Sequence, residues 1–430
     1  MLVSFSVENF LSFKDRQTLD MTAVATCKER QILNVFKANT KPLLKSAVVY
    51  GANASGKTNF VSALSFFKYF IVNSSKDSIS SEEIHVVPFL LNKKTQELPS
   101  KFEIEFIMNE TLYRYGFCVT NKLVTQEWLF QNNKNLFLRE NSGKDDIIQI
   151  KKAWGNAIGL EERTRANALF LTVCAQFAMP QAEAIIKWIS NNLVIISGAH
   201  PNNLTQYTCS QMSSDDYNEK ILHFLRNADM NIVKLTVDQL ENNYEQNSTN
   251  VEKYDIYSSH NVYDDDGEVV DQEVFPFNLF ESLGTQKAFA LAGPISNALN
   301  KGLVLVVDEL DSRLHPIFTR RIVSLFNSCE TNPKNAQLIF NTHDTNLLSY
   351  KVYNEQTHKE ENMLRRDQVY FAEKDFIEAT HIYSLIEFKK KKGNKVRNDA
   401  SFEKDYLSGL YGAIPFIGDL IQASNNGKGK

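Results

Sequence analysis

The sequence has few of the residues that build small cross-linked or repetitive proteins. Its 430 residues include only five cysteines, which are scattered along the chain and form no C-x-x-C pair: Cys27, Cys118, Cys174, Cys209 and Cys329. An odd, dispersed set of this kind argues against a disulfide framework or a zinc site and favours a reducing compartment, so we expect a cytoplasmic protein. Seventeen glycines and ten prolines exclude collagen-like and low-complexity chains.

Long apolar runs and an excess of one charge are also missing. The richest apolar stretch, residues 61–72, is interrupted by Lys68, so we predict no membrane span. The formal charge is −4, from 47 Lys and Arg against 51 Asp and Glu. This balance of charge disfavours a general nucleic-acid binder. The sequence leaves direct contact with nucleic acid open, but such contact would need a local basic patch or a partner protein. Residues 1–10 alternate apolar and polar side chains, which is strand periodicity rather than a signal peptide.

What is present is ample material for a core, with 29 Phe and 16 Tyr. The periodicity predicts short strands over the first 50 residues, a helix over Thr58–Phe70, and an exposed loop over Ser74–Glu83. It then predicts a run of hairpins over residues 101–139, a mainly helical stretch over 145–240, and strands over 251–270 that turn at Asp266-Gly267. Two short apolar runs, residues 303–307 and 337–340, are typical of a parallel sheet with helices packed on it. Catalytic groups are expected at the carboxyl ends of such strands.

The sharpest motif is residues 51–58, GANASGKT, which fits G-x-x-x-x-G-K-[ST] between a predicted strand and a predicted helix. Glycines let backbone N–H groups close around phosphate oxygens, and the helix that follows adds a partial positive charge. Lys57 would reach the β- and γ-phosphates of ATP, and Thr58 would ligate Mg²⁺. The candidate nucleotide-binding residues here are Gly51, Asn53, Ser55, Gly56, Lys57, Thr58 and Asn59.

Three acidic or histidine side chains follow the two apolar runs. Asp308 closes the first run and would hold the Mg²⁺ shell, while Glu309 would polarise the attacking water. The alternative is a pair of strand-end carboxylates that face solvent. His343 follows the second run, 35 residues after Asp308, and would donate a hydrogen bond to the γ-phosphate.

Residues 281–287, ESLGTQK, lie just before the first apolar run. Ser282, Gly284 and Thr285 have the composition of a helix start, which offers a hydroxyl and N–H groups to phosphate. Alone this pattern is common, but its place between the hairpins and Asp308-Glu309 is informative. The chain thus carries one phosphate loop and one segment of this second type.

The order of these motifs resembles the ABC-type ATPase heads of the SMC, RecF and OLD proteins, whose usual signature is Ser-Gly-Gly-Gln where this chain has Ser-Leu-Gly-Thr. More closely, the sequence resembles the prokaryotic abortive-infection ATPases, the group that contains AbiLi, RloA and the PARIS ATPase AriA. The segments that carry the resemblance are FSVENFLSFKD (5–15), GANASGKTN (51–59), ESLGTQK (281–287), VVDELDSRLHP (306–316), IFNTHD (339–344), RRDQVYFAEKD (365–375) and YLSGLYGAIPFIG (406–418).

The resemblance implies an α/β P-loop NTPase with an ABC-type head and gives roles to individual residues. Glu309 would be the general base, His343 the switch histidine, and Asp311 a D-loop residue. Ser282 and Gly284 would contact the γ-phosphate of ATP bound to another subunit. Gln176 would be the lid glutamine, although its surroundings also suit an ordinary helix.

The expected architecture is a parallel core sheet joined by an antiparallel β lobe and a helical insertion. Residues 1–140 would hold the phosphate loop and the β lobe, 141–250 a mainly helical insertion, and 251–430 the signature, Asp308-Glu309, His343 and the tail. In ABC-type heads the loop and the signature of one chain serve different sites. ATP should therefore lie between two subunits of a homo-oligomer, at least a dimer, and hydrolysis should require assembly.

Two functions follow as hypotheses. In the first, the chain is the ATPase sensor of an antiphage system that controls a separate effector, a TOPRIM-like or other nuclease, in response to a phage-derived trigger. We expect no nuclease in this chain, because the 87 residues after His343 hold no D-x-D pattern. In the second, it is a RecF-like or SMC-like repair ATPase that binds DNA through the basic cluster Lys389–Lys392, Lys395 and Arg397, although a solvated loop is the plainer interpretation of that cluster. A slowly cycling ATP-gated scaffold remains a third option.

Overall fold

The computed structural model describes residues 1–74, 83–197, 201–212, 215–227, 230–240, 253–354, 358–389, 396–398 and 400–415. The strands are β1 (Leu2–Glu8), β2 (Gln17–Asp20), β3 (Val35–Ala38), β4 (Lys41–Leu44), β5 (Ser46–Tyr50), β6 (Ser100–Met108), β7 (Thr111–Val119), β8 (Val124–Gln131), β9 (Lys134–Asn141), β10 (Asp146–Ile150), β11 (Leu193–Ile196), β12 (Lys234–Leu240), β13 (Lys253–Tyr263), β14 (Val269–Pro276), β15 (Val304–Val307), β16 (Gln337–Asn341), β17 (Lys351–Asn354), β18 (Lys359–Asn362), β19 (Val369–Lys374) and β20 (Thr380–Ser384).

The helices are α1 (Gln31–Asn34), α2 (Lys57–Asn73), α3 (Phe170–Gln176), α4 (Pro180–Asn192), α5 (Pro201–Gln211), α6 (Asp215–Arg226), α7 (Phe277–Phe280), α8 (Leu283–Lys301), α9 (Pro316–Phe326), α10 (Asn346–Ser349) and α11 (Phe402–Leu407). Short 3₁₀ turns occupy Thr95–Glu97, Lys152–Ala157, Glu161–Arg163 and Arg366–Gln368. In the described ranges, none of these helices is both long enough and apolar enough to cross a bilayer.

The core sheet has the strand order β11-β15-β16-β5-β19-β20. Its first five strands run parallel, and β20 joins the edge antiparallel to β19. Strands β5, β15 and β16 are buried along their whole length, which explains why they are unbroken apolar runs rather than alternating patterns. The sequence predicted this parallel sheet from residues 303–307 and 337–340.

The two faces of the core sheet bury different partners. On one face, Val49 and Val306 share a core with α2 and with the inner side of the antiparallel sheet. On the other, Val48 and Val307 share a core with α8 and α9. Because both faces are covered, the carboxyl ends of the strands are the natural place for polar functional groups.

The antiparallel sheet has the order β10-β9-β8-β7-β6-β1-β2 and confirms the hairpins expected over residues 101–139. Helix α2 packs on it through aromatic rings. Phe67 stacks on Phe117 with centroids 5.4 Å apart, and Phe60 meets Phe5 edge-on at 5.7 Å. The sheet therefore supports the helix that begins in the phosphate loop.

The expectation of a mainly helical stretch over residues 145–240 holds for α3 to α6 but misses three strands. Strand β10 extends the antiparallel sheet, β11 pairs in parallel with β15, and β12 pairs with β13. Residues 193–196 follow α4 directly and are only four residues long, so their strand conformation is set by pairing with β15 rather than by any local period.

Strands β12, β13 and β14 form a small third sheet. Its turn at Asp266-Gly267 confirms the predicted hairpin: Gly267 has φ +85°, and Asp264 N donates to Glu268 O at 3.0 Å. Other expectations lie outside the described residues, namely most of the loop at 74–83, residues 390–395 of the basic cluster, and the last residues of the tail. The division into three regions stays a prediction.

Candidate nucleotide-binding site

The glycine-rich loop joins β5 to α2 at the carboxyl edge of the core sheet. A side chain at Gly51 would collide with the carbonyl oxygen of Ala372, and one at Gly56 would collide with Thr380. Gly56 also has φ +104°, in the left-handed region that favours glycine. Both glycines are therefore required by the close approach of neighbouring strands.

Lys57 lies buried at the start of α2. Its Nζ donates to the carbonyl oxygens of Gly51 at 2.7 Å and Ala52 at 2.9 Å, so the ammonium folds back over the loop. Burial lowers the pKa of Lys57, and the nearby carboxylates of Asp308 and Glu309 oppose that shift. The charge is thus held above the loop by weak carbonyl partners that a phosphate oxygen can replace.

The carboxylate of Asp308 lies at the end of β15, within reach of the loop. Its Oδ1 accepts from Thr58 Oγ1 at 3.2 Å and from Asn341 Nδ2. Asn341 ends β16, and its Oδ1 accepts from Glu309 N at 2.6 Å. Neighbouring strands β5, β16 and β15 therefore bring Thr58, Asp308 and Glu309 together, as the sequence predicted from the ends of apolar strands.

Glu309 differs from Asp308 in exposure and backbone conformation. Asp308 is only 4% exposed, whereas Glu309 is an exposed residue. The backbone of Glu309 is left-handed, with φ +52°. The bond from its N–H to Asn341 holds this left-handed turn. Burial suits Asp308 to ligating an ion with Thr58, while exposure suits Glu309 to contacting water.

His343 lies in the loop after β16 and is tied to Asp311. Its backbone N donates to Asp311 Oδ2 at 3.1 Å, and Asp311 Oδ1 is buried without a hydrogen-bond partner among the described residues. Burial and the charge of Lys57 lower the pKa of His343, although Asp311 and Glu309 pull it upward. A neutral imidazole at pH 7 retains one N–H donor.

A groove of about 850 Å³ opens over the phosphate loop. The predicted site residues that line it are Gly51, Asn53, Ser55 and His343. Other lining residues, which had no predicted role in the site, include Ala372, Glu373, Leu407 and Ile414. Gln176, the expected lid glutamine, is exposed at the end of α3 and is not among the lining residues, so its role stays a prediction.

Ser282 is the N-cap of α8, as the composition of residues 282–285 predicts. Ser282 Oγ accepts from Thr285 N at 3.1 Å. A Cβ added at Gly284 would lie 2.9 Å from the carbonyl oxygen of Arg313. Here a smaller cavity of about 240 Å³ is lined by residues that include Leu283, Lys287, Asp308, Glu309 and Arg313.

The two cavities contain different motifs. Residues 51–55 line the groove, and Leu283 and Lys287 line the smaller cavity together with Asp308 and Glu309. Burial lowers the pKa of Lys287, and the charges of Glu309 and Asp308 oppose this shift. The start of α8 therefore lies beside the chain's own carboxylates, in a cavity that residues 51–58 do not line.

A buried network that the sequence did not reveal supports the loop. Asn59 Nδ2 donates to Ser12 Oγ at 2.7 Å, and Thr380 Oγ1 lies 2.8 Å from both Ser12 Oγ and Ser55 O. Ser12 and Asn341 lie within residues 5–15 and 339–344, two of the segments that carry the family resemblance. No local sequence pattern points to Thr380. Asn59 thus has a supporting contact beneath the loop in this structure.

The residues present fit a magnesium nucleotide. Ser55 Oγ is buried without a hydrogen-bond partner among the described residues, and a phosphate oxygen would supply one. Thr58 and Asp308 offer adjacent oxygen ligands, the type that Mg²⁺ prefers. The N-terminus of α2 points its N–H groups at the same place.

A largely parallel α/β sheet with this loop between β5 and α2 defines a P-loop NTPase. The model of the family described as "AAA domain, putative AbiEii toxin, Type IV TA system" matches residues 46–165 and 204–349, which is more than half of the chain. The chain belongs to this family and carries its nucleotide-binding ATPase domain. No curated protein is similar enough to this chain to count as a relative.

Proposed function

We propose that this chain binds and hydrolyses ATP as the sensor or regulatory subunit of an abortive-infection type of antiphage system. It assembles as a homo-oligomer and controls a separate effector nuclease in the cytoplasm. The observation that carries the ATPase proposal is the set of contacts that joins Thr58, Asp308, Asn341 and Glu309 at the carboxyl ends of adjacent strands.

The proposed division of labour follows from the position of each side chain. Bound Mg·ATP supplies the metal-activated γ-phosphate. The loop N–H groups and the start of α2 bind phosphate oxygens, and Lys57 exchanges its carbonyl partners for them. Thr58 and Asp308 would hold the ion, Glu309 would polarise water, and His343 would donate its N–H to the γ-phosphate.

The two separate cavities support an ABC-type head in which Ser282 and Gly284 act on a second subunit. In each chain Leu283, Gln286 and Lys287 line the smaller cavity, whereas residues 51–58, Ser282 and Gly284 do not. An ATP sandwiched between two copies would bring the loop of one chain to the Ser282 segment of the other. Asp311, hydrogen-bonded to the backbone of His343, would take the D-loop position between the sites.

A regulatory rather than self-sufficient role is supported by the family and by the charge of the chain. The family description names a putative toxin of a toxin–antitoxin system, which suggests a partner protein. The near-neutral balance of charge suits protein partners better than a nucleic-acid backbone. We place the chain with the AbiLi, RloA and AriA group on the motifs quoted above, with a TOPRIM-like or other nuclease as effector and a phage product as trigger.

The test uses the pair of genes rather than the ATPase alone. Cells expressing the chain with a neighbouring nuclease gene should survive phage challenge, and Glu309→Gln in the ATPase should change that protection while leaving its copurification with the nuclease intact. Full protection by the ATPase alone would contradict the proposal. Tight DNA binding whose affinity falls steeply with salt would instead support the repair-type alternative.

A further inference from the structure

The last described part of the chain, Phe402–Pro415, folds into a compact unit that we call the C-terminal segment. It consists of α11 and a turn in which Gly409 and Gly412 have φ +78° and +72°. Tyr406 OH donates to Ala413 O at 3.0 Å and closes the turn onto the helix. The segment therefore has a defined shape.

Aromatic packing anchors the C-terminal segment to the strands that carry the site. The ring of Tyr406 lies 5.8 Å from that of Tyr50, the last residue before the phosphate loop, and 5.2 Å from that of Phe371 in β19. Tyr383 OH donates to Tyr411 O at 2.6 Å. The segment is thus fixed to β5, β19 and β20 at once.

A second attachment joins the C-terminal segment to the loop that holds His343. Thr345 Oγ1 donates to Glu403 Oε1 at 3.0 Å. Tyr50 OH also donates to Asp344 O at 3.0 Å, so the same loop is tied to the strand before the phosphate loop. The segment is therefore attached to the strand that leads into the phosphate loop and to the loop that holds His343.

The C-terminal segment presents apolar side chains to the groove over the phosphate loop. Leu407 is 60% exposed and Ile414 39% exposed, and both line the groove with Pro415 and Ala372. The groove is also lined by the carboxylates of Glu373 and Glu378 and by Lys374, whose charge is paired with Glu378 at 3.5 Å. Apolar groups and a carboxylate are poor neighbours for a triphosphate but good ones for the flat face and hydroxyl or amino donors of a nucleoside.

We infer that the C-terminal segment forms the nucleoside end of the ATP groove and contributes to affinity through Leu407 and Ile414. This inference rests on the proposed function, because it orients the nucleotide with its phosphates on residues 51–58. The groove, at about 850 Å³, has the size of sites for complete nucleotide-sized ligands. The C-terminal segment then helps to determine which nucleoside triphosphate is bound.

The test compares Mg·ATP with Mg·tripolyphosphate, which has the phosphates but no nucleoside. In the double variant Leu407→Ser/Ile414→Ser, affinity for ATP should fall about tenfold, because apolar contact with the nucleoside is lost, while affinity for tripolyphosphate stays unchanged. Leu410→Ser is the matched control, since Leu410 is 38% exposed on the same segment but does not line the groove. Hydrogen exchange over residues 402–413 should slow with ATP and not with tripolyphosphate.

An equal loss for both ligands, or none for ATP, would overturn the inference. The failure of the proposed function looks different. In that case the wild-type chain binds neither ligand, or Lys57→Ala binds both as well as the wild type does. Retained tripolyphosphate binding by the double variant also shows that it is folded.

Discussion

The groove over the phosphate loop and the smaller cavity at the start of α8 differ in how they are built. Buried hydrogen bonds from Ser12 and Thr380 hold the groove's loop from below. The smaller cavity is instead lined by Leu283, which is 57% exposed, and the chain just before it carries two more exposed apolar side chains. These are Leu279, 81% exposed, and Phe280, 63% exposed. One region is organised for a ligand within the chain, and the other presents a surface that is not covered in the single chain.

In keeping with this difference, we propose that the chain holds two halves of a catalytic site rather than one whole site. Asp308 and Glu309 lie where the halves meet, because Asp308 bonds to Thr58 and also lines the smaller cavity. Ligand binding should depend on the groove side. Hydrolysis should depend on both sides, since in the proposed sandwich the start of α8 comes from a second chain.

The largest expected effect comes from removing the groove's cation. Lys57→Ala should weaken Mg·ATP binding by about 100-fold or more, because a buried ammonium is the principal positive charge over the loop. Isothermal titration calorimetry measures this directly. Lys301→Ala, at the exposed last residue of α8, is the control and should bind as the wild type does.

The second effect separates binding from hydrolysis. Glu309→Gln should keep the affinity for ATP and slow turnover by about 10²- to 10³-fold. The reason is that the glutamine amide cannot act as a general base, although it has nearly the size of the glutamate carboxylate. Binding without turnover should also stabilise the oligomer in Mg·ATP, which size-exclusion chromatography with light scattering can follow. Turnover equal to that of the Glu330→Gln control would contradict the role of Glu309.

A third effect concerns stability at the junction of the two regions. Asn341 is 2% exposed, and its amide serves both Asp308 and the backbone of Glu309. Asn341→Ala should lower the free energy of unfolding by about 1–3 kcal/mol, because it leaves buried polar groups unsatisfied. Urea unfolding measures the loss, and Asn300→Ala on the exposed side of α8 should change little. A wild-type midpoint for Asn341→Ala would show that the junction is not held by this side chain.

The smallest effect is electrostatic. The charge of Lys57 helps to lower the pKa of His343, so Lys57→Ala should raise it toward its usual value. Between the lowered pKa of folded His343 and the usual pKa of an unfolded histidine, the unfolded chain binds more protons than the folded chain. The free energy of unfolding therefore rises with pH across that interval, and Lys57→Ala should make the interval narrower. NMR titration of the histidine rings tests this, with the Lys301→Ala titration of His343 expected to match the wild type.

The sequence revealed those parts of the fold and site that depend on neighbouring residues. Residues 51–58 and the ends of β15 and β16 are local patterns, so the loop, Asp308, Glu309 and His343 could be predicted together. Thr380 could not, because its contact with Ser12 spans 368 positions and has no local signature. The same reason applies to β11, whose four residues become a strand only beside β15, and to Leu407 and Ile414 in the groove wall.

The central claim is that each ATP site takes its loop from one chain and the start of α8 from another. Mixing Lys57→Ala chains with Gly284→Asp chains tests it, since each variant alone should be inactive. Random pairing in a dimer should restore about a quarter of wild-type hydrolysis, because half of the dimers then hold one intact site of two. If the mixture stays as inactive as its two components while light scattering shows that mixed dimers form, the site is not shared between chains.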